Sequence, residues 1–482
     1  MTDSIRSAPT ASSQPDPALA GNAETLRLTL ALVMVALSLG FGSGTFLAVL
    51  PDLSKFVGVS AGQLNWLTSA QLLCTVVAVP IVGRLGDMFG HRRILFLAVA
   101  MTAIGGVLLA LATSFAAMLI GRAMQGAIGS LFALGPALVR DRLPTTRGHT
   151  VITALAGSLL FGAVLGLLSA ASLSKAEHGT QTALAISAVV YATAAALVLA
   201  APESVVRARR SVDVPGAILL VVGLGCVVLG LSRVEVSGWA APSTAGFLIA
   251  GLLVVAGWVR FEASTRHPLI DVRAMANRRV LPPAVIAFAF GVAQYGAQTA
   301  AVTFMASPAD KLGYGLSMSI RDIAQLLAPC VIVGFIAALC AARLAAFVGE
   351  RVAFVVGSVL LVLGFASMIA FHESKTSFAL ALTVQFAGQG IAQAMWPAVL
   401  SAAAEPTERG AITSVGQSLE TLGGGLSTAL FATILSSLVI TGTDAPTVGA
   451  YVWVWLICGG ISATIVPLAY VLRPSRRTVP RL

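Results

Sequence analysis

The sequence predicts an all-α polytopic membrane protein, and three observations predict it. Hydrophobic residues make up 57% of the 482-residue chain and charged residues only 10%, against roughly 25% charged in a soluble domain. Apolar runs long enough to cross a bilayer recur along almost the whole length. Basic residues gather on alternate connections between those runs. Too little charge is present to coat a water-facing surface, which excludes a soluble enzyme, a secreted disulfide scaffold and a disordered chain. The net charge of +10 is read as loop charge that sets orientation, so no nucleic-acid partner is expected.

Residues 1–25, rich in Ser, Ala, Pro and Thr, read as a disordered cytoplasmic tail. No basic-then-apolar leader with a small-residue cleavage site precedes the first run, so that run is expected to stay in the membrane. A span needs about 20 apolar residues. On that rule spans are predicted at 28–50, 64–83, 94–112, 116–139, 151–173, 182–200, 214–232, 243–260, 280–304, 318–342, 352–371, 378–403, 411–439 and 448–472, fourteen in all. With the N-terminus inside, 23 of the 30 Lys and Arg fall on cytoplasmic segments and six on outward ones, which places both termini in the cytoplasm. The basic loop after the second run, Arg84 to Arg93, has a weaker counterpart after the tenth, Arg343 to Arg351. Setting aside the seventh and eighth runs as an insert makes the chain two six-span halves, the usual plan of secondary transporters. The expected division is 26–200 for the first bundle, 201–275 for the two-helix insert, 276–475 for the second bundle and 476–482 for a cytoplasmic tail.

The strongest local pattern is residues 83–93, Gly-Arg-Leu-Gly-Asp-Met-Phe-Gly-His-Arg-Arg. Gly83, Gly86 and Gly90 allow a tight turn and close helix approach. Asp87 can pair with an arginine or meet a helix N-terminus, while Arg92 and Arg93 anchor at the inner surface. Ion pairs made in one state and broken in another would act as a latch; the plainer alternative is a basic turn that sets topology. At these residues the chain resembles the major facilitator superfamily, whose loop motif between the second and third helices has an acid at the place of Asp87. A second match is Arg122-Ala123-Met124-Gln125-Gly126-Ala127, similar to the family's fourth-helix motif with its buried arginine.

Two extra spans between the halves resemble the fourteen-span drug:proton antiporter branch. So do Pro202-Glu203-Ser204, Asp213 with Gly216, Gly238-Trp239, His267-Pro268-Leu269 and the 405–410 stretch. The resemblance implies two six-helix bundles with two linker helices in a bacterial inner membrane. It also implies export of amphipathic drugs or related small molecules by alternating access, coupled to proton influx. A lipid or metabolite transporter of the same fold with weak or no proton coupling is the alternative. The expected partners are the substrate, protons and the bilayer; the expected working unit is a monomer, and no cofactor or metal is expected. Two departures bear on coupling. The branch has an acid ahead of a Leu-Pro pair in the first helix, whereas residues 41–46, ahead of Leu50-Pro51, contain none. The fifth run has Gly157, Gly162 and Gly166 but lacks the proline of the antiporter motif.

Glu420 stands ten residues into the thirteenth run. At 1.5 Å per residue that is about 15 Å deep, near the middle of a roughly 30 Å core. An ionisable group at that depth is costly and a functional candidate by default. Either it carries the proton, or it is a structural partner of Arg122 or of nearby Gln and Ser. Arg122 is the basic residue deepest in a span; it either takes part in proton coupling, as the resemblance implies, or ties helices together. Asp322, beside Arg321 at the start of the tenth run, is a further coupling candidate unless it caps that helix.

Cavity candidates are neutral and polar or aromatic. Gln385, Gln389 and Gln393 share a face of the twelfth run by their spacing, as do Gln294 and Gln298 around Tyr295 on the ninth. Phe46, Trp66, Gln71 and Trp396 add to them. Such a lining suits a bulky amphiphile, with cation–π contact open to a cation; hydrogen bonding of Gln between helices is the other reading. The residues 162–166 form a small-xxx-small face, and Gly423-Gly424-Gly425 follows Glu420 closely. The five cysteines lie in apolar runs without metal-ligand spacing, and the five histidines are scattered over loops. Neither set builds a catalytic centre, and no phosphate-binding loop is present for an ATP-driven pump.

Overall fold

The computed structural model describes residues 22–57, 61–143, 145–204, 213–265, 268, 272–275, 280–402, 409–440, 442–443 and 445–471. The expectations for residues 1–21 and for the C-terminal tail, for the basic stretches at 205–212 and 276–279 and for the 403–408 turn lie outside these residues; residues 22–25, expected as the end of a disordered tail, are the first turn of a helix. Long helices account for nearly all of the rest. They are α1 (Asn22–Val57), α2 (Ala61–Phe89), α3 (His91–Ala110), α4, α5 (Thr145–Leu173), α6 (Gly179–Ala200), α7 (Val214–Ser237), α8 (Pro242–Ser264), α9 (Leu281–Ala306), α10 (Ile320–Val348), α11 (Glu350–Ala370), α12 (Lys375–Ala402), α13 (Arg409–Ser437) and α14 (Val448–Val471). The helix α4 is two α-helical pieces, Phe115–Gln125 and Leu131–Arg142, joined by a 3-10 segment at Gly126–Ser130. A single isolated β-bridge, Val439 to Pro446, closes the α13–α14 turn.

Each predicted run falls on one of these helices. Among the described residues eleven are long and apolar enough to cross a membrane. The exceptions are α5, α12 and α13. The last two carry the glutamines, Glu420 and a row of Ser and Thr, so their polarity belongs to the centre of the molecule. Outward-facing positions are apolar: Leu97, Ile104, Leu111, Val189, Leu252, Leu253 and Leu363 are exposed large hydrophobics on the flanks of the bundle, as a lipid-facing surface requires. Local signals set several helix starts. Asp213 accepts a hydrogen bond from the Gly216 amide (2.9 Å) at the start of α7, and Ser114 accepts one from Ala117 at α4.

The packing of α9–α14 repeats that of α1–α6. In the first half α1 lies along α5 and α6, α3 packs on α6 and α4, and α2 packs on α4. In the second, α9 lies along α13 and α14, α11 packs on α14 and α12, and α10 packs on α12. The halves meet through two reciprocal pairs, α2 with α13 and α5 with α10. The α7–α8 hairpin stands outside this arrangement, docked through Leu220, Leu224 and Trp258 on Leu73 and Val76 of α2.

The two ends of the bundle differ. Opposite the 83–93 loop, the halves share one continuous core that joins Phe46–Leu53 of α1 to Val302 and Met305 of α9 and to Ile323 and Leu327 of α10. At the loop end the first half has its own core, of Leu28, Leu32, Leu95, Leu134 and Leu138, with no described residue of the second half in it. Among the described residues, the halves thus share one core at one end and keep separate cores towards the other.

Candidate functional site

A cavity of about 210 Å³ lies between the halves. Its walls come from α1, α2, α4 and α5 on one side and from α9 and α13 on the other. Phe46, Gln71, Gln294, Tyr295 and Gln298 line it, joined by Arg122, Thr68, Thr299, Gln417 and Thr421. Ser43, in the middle of the longest helix, is exposed because it faces this space. A smaller hollow continues into the second half past Gln294 and Gln298 to Gln385 and Gln389.

The close crossing of α2 and α4 holds Arg122 at the wall. A Cβ on Gly126 would come within 2.6 Å of the Gln71 carbonyl, so only glycine permits the approach. The Thr75 hydroxyl then donates to the Gly126 carbonyl at 2.9 Å. Arg122 is buried; its Nε donates to the Leu67 carbonyl (3.3 Å), its Nη1 to Gln125 Oε1 (2.8 Å), and its guanidinium sits 3.7 Å from the centre of the Phe46 ring. All three members of the fourth-helix motif, Arg122, Gln125 and Gly126, therefore serve one arrangement.

Glu420 is wholly buried in α13. Gln417 Nε2 donates to its Oε2 (3.1 Å), Gln393 approaches from α12, and Oε1 has no hydrogen-bond partner among the described residues. A carboxyl in such a place is costly to charge and keeps one oxygen open for a proton. It does not pair with Arg122: the two stand in different halves, and among the described residues the arginine's hydrogen bonds are within the first. Asp322 is not with either of them. It is the N3 residue of a capping box at the exposed start of α10, where Ser319 Oγ donates to its Oδ2 (2.7 Å) and accepts from its amide.

Three cavity expectations are corrected. Trp66 and Gln71 are five residues apart, which turns them about 140° from each other on a helix. Gln71 faces the cavity, so Trp66 faces away and packs on Leu231, Ala429 and Ala432 where the hairpin docks. Trp396 is in the shared core rather than on the wall. The glutamine row on α12 drifts by about 80° over eight residues: Gln385 and Gln389 line the hollow and bond to each other (3.1 Å), while Gln393 turns to Glu420.

At the loop end, residues 83–93 build a second polar cluster. Gly90 has φ 104°, which ends α2 and starts α3 in one residue, and a Cβ there would meet the Glu203 carboxyl at 2.8 Å. Gly86 is packed on Leu134, whereas Gly83 has room for a side chain. His91 pairs with Asp87 (3.1 Å) and faces Asp141 (3.7 Å). Glu203 accepts from the Arg92 amide (2.9 Å) and pairs with the Arg92 and Arg93 side chains (3.4 and 3.8 Å). Arg142 closes the ring on the Glu203 carbonyl (2.8 Å), and Arg84 reaches the Pro268 carbonyl between α8 and α9. The motif thus ties the ends of α2, α3, α4 and α6 together and holds the insert to them. Glu203 at its centre, Asp141 and His91 were not singled out as site residues from the sequence.

The profile of the Major Facilitator Superfamily matches residues 32–428. The chain belongs to that superfamily. It is a multi-pass membrane protein, and its superfamily and structural neighbours are transporters. It is 30% identical over 256 residues to a tetracenomycin C resistance and export protein of Streptomyces glaucescens, covering 51% of this chain and 46% of that one. It is 28% identical over 327 residues to a triacylglyceride transporter of Mycolicibacterium hassiacum, covering 66% and 60%. The matches thus span about half to three-fifths of these two relatives' length. Among solved structures, a D-xylose–proton symporter superposes with a TM-score of 0.68 at 13% identity over 94% of this chain and 98% of that one, a likeness of fold alone.

Proposed function

We propose that the protein is a fourteen-span exporter of amphipathic small molecules in a bacterial inner membrane, driven by proton influx, with both termini in the cytoplasm. The divisions 26–200, 201–275 and 276–475 are its two rocking bundles and the insert between them. The 83–93 loop lies on the cytoplasmic side, so the end with the shared core faces outwards and the structure is an inward-facing state. The loop cluster around Glu203 keeps the first bundle rigid and tethers the insert as the bundles move. One observation carries the proton assignment: a fully buried carboxyl, Glu420, whose Oε1 has no hydrogen-bond partner among the described residues, held by Gln417, which itself lines the cavity between two repeated halves. Arg122 serves the same cycle from the cavity wall of the first half.

The test uses protein in liposomes under an imposed pH gradient, with the neutral amphiphile N-phenyl-1-naphthylamine as probe. Wild type is expected to move the dye with the gradient, and Glu420→Gln to fall to the protein-free background while keeping its melting temperature. Gradient-driven transport at wild-type rate in Glu420→Gln overturns the assignment.

A second reading, lipid export with weak or no proton coupling, is favoured by an apolar groove of about 350 Å³ between α2 and α7, lined by Ile81, Ala217, Ile218 and Val221. The triacylglyceride transporters among the relatives support it too. Protein-dependent exchange of a fluorescent triacylglycerol between vesicles, indifferent to the pH gradient, would establish that reading in place of the first.

A further inference from the structure

The charge of the cavity wall is one-sided. Of the described residues lining the central cavity and the hollow behind it, Arg122 alone bears a formal charge. Its side chain is nine-tenths buried or more (3% of the residue is exposed), and among the described residues no carboxylate lies within ion-pair distance of it. Two of its three guanidinium nitrogens are taken by Leu67 and Gln125, which leaves Nη2 as the donor for whatever occupies the cavity. A buried guanidinium without a counter-charge is expensive, and an anion brought beside it offsets part of that cost. A cation brought to the same wall adds like charge in a medium that screens poorly.

The remaining lining does not reverse this preference. The amides of Gln71, Gln294, Gln298 and Gln417 supply neutral donors and acceptors. The Phe46 ring, which would be the natural seat for a cationic ligand, already has Arg122 over its face. Glu420 is not on either lining; Gln417 and Gln393 stand around it in the second half. Whatever the protonation state of Glu420, Arg122 is the charged side chain on the described walls.

We propose that the central cavity takes an anionic or neutral amphiphile, with an acidic or carbonyl oxygen of the ligand on Arg122 Nη2 and its apolar body along Phe132, Leu159 and Tyr295, and that it discriminates against lipophilic cations. This rests on the reading of that cavity as the transport site. Residues of the first half therefore set charge selectivity while Glu420, in the second, handles the proton.

Tetraphenylborate and tetraphenylphosphonium have the same shape and opposite charge, and they test it. Equilibrium binding of each is measured on the full-length protein in neutral maltoside micelles, corrected by protein-free micelles. Wild type is expected to bind the borate at least about tenfold more tightly than the phosphonium, the scale of one unit charge at close range in a partly screened site. Arg122→Gln should bring the two affinities together, and Arg122→Lys should keep the preference at reduced affinity. Gln298→Glu, which adds an acid to the wall and leaves Arg122 in place, should shift the ratio towards the phosphonium and serves where Arg122→Gln does not fold. Equal or tighter binding of the phosphonium by wild type overturns the proposal, as does a ratio that neither Arg122→Gln nor Gln298→Glu moves. Binding of neither ion overturns the cavity as the ligand site altogether. A failure of gradient-driven transport alone leaves the charge preference standing.

Discussion

A protein carrying Ser69→Cys and Thr428→Cys, with its five native cysteines replaced, will form a disulfide on mild oxidation, stop transporting N-phenyl-1-naphthylamine, and recover on reduction. The two hydroxyls are 2.7 Å apart across the contact of α2 with α13, one of the two seams between the halves. The adjacent residue, Thr68, makes a second hydroxyl contact between the halves, with Thr299 of α9 at 3.2 Å. Thiols placed at 2.7 Å need little movement to reach bonding distance. Both pairs sit in the part of the seam nearer the end with the shared core. If the bundles rock about the central cavity, this seam must open once per cycle, and a covalent bond across it holds the sealed state. Hydroxyls suit such a surface because they bond to each other when it is shut and to water when it is open. Full transport by fully cross-linked protein would mean that the seam does not open.

Gly162→Ala will lower the melting temperature of the detergent-solubilised protein far more than Gly157→Ala on the same helix. A Cβ at Gly162 would stand 2.1 Å from the Leu37 carbonyl, and one at Gly166 would stand 2.1 Å from the Phe41 carbonyl. From the other side, Gly40 and Gly44 of α1 meet the carbonyls of Leu159 and Ala163 in the same way (1.8 and 2.1 Å). Four glycines thus bring two backbones into direct contact. The obstruction is a main chain rather than a side chain that can turn aside, so α1 and α5 must part along their length. The cost is at least about 3 kcal/mol, the upper part of the range for overpacked interiors. At Gly157 the nearest atom is 3.6 Å away on the Phe335 ring, an ordinary contact. Equal melting of the two variants would contradict the direct backbone packing of α1 on α5.

The helical plan was legible in the sequence because apolar length and basic loops are properties of single segments. So were the 83–93 loop, the burial of Glu420 and the small-residue face at 162–166. The Ser319-x-x-Asp322 box was legible as well, and it is the signal that separates Asp322 from a coupling role. What sequence could not supply was the angle of each helix about its own axis. That angle puts Gln71 on the cavity and Trp66 behind it, and it turns Gln393 away from Gln385. Pairings across long separations were equally hidden: Arg92 with Glu203 spans 111 positions and Ser69 with Thr428 spans 359. Serine and threonine are common in membrane helices, so nothing local marks the ones that meet across a seam.

The most direct measurement of proton exchange is made without an imposed pH gradient. Liposomes holding the protein and the pH dye pyranine are given N-phenyl-1-naphthylamine from outside, and the internal pH is followed. Obligatory exchange predicts that inward movement of the amphiphile drives protons out, so the lumen turns alkaline with wild type and stays constant with Glu420→Gln. Protein-dependent uptake of the amphiphile with no change in internal pH would contradict it.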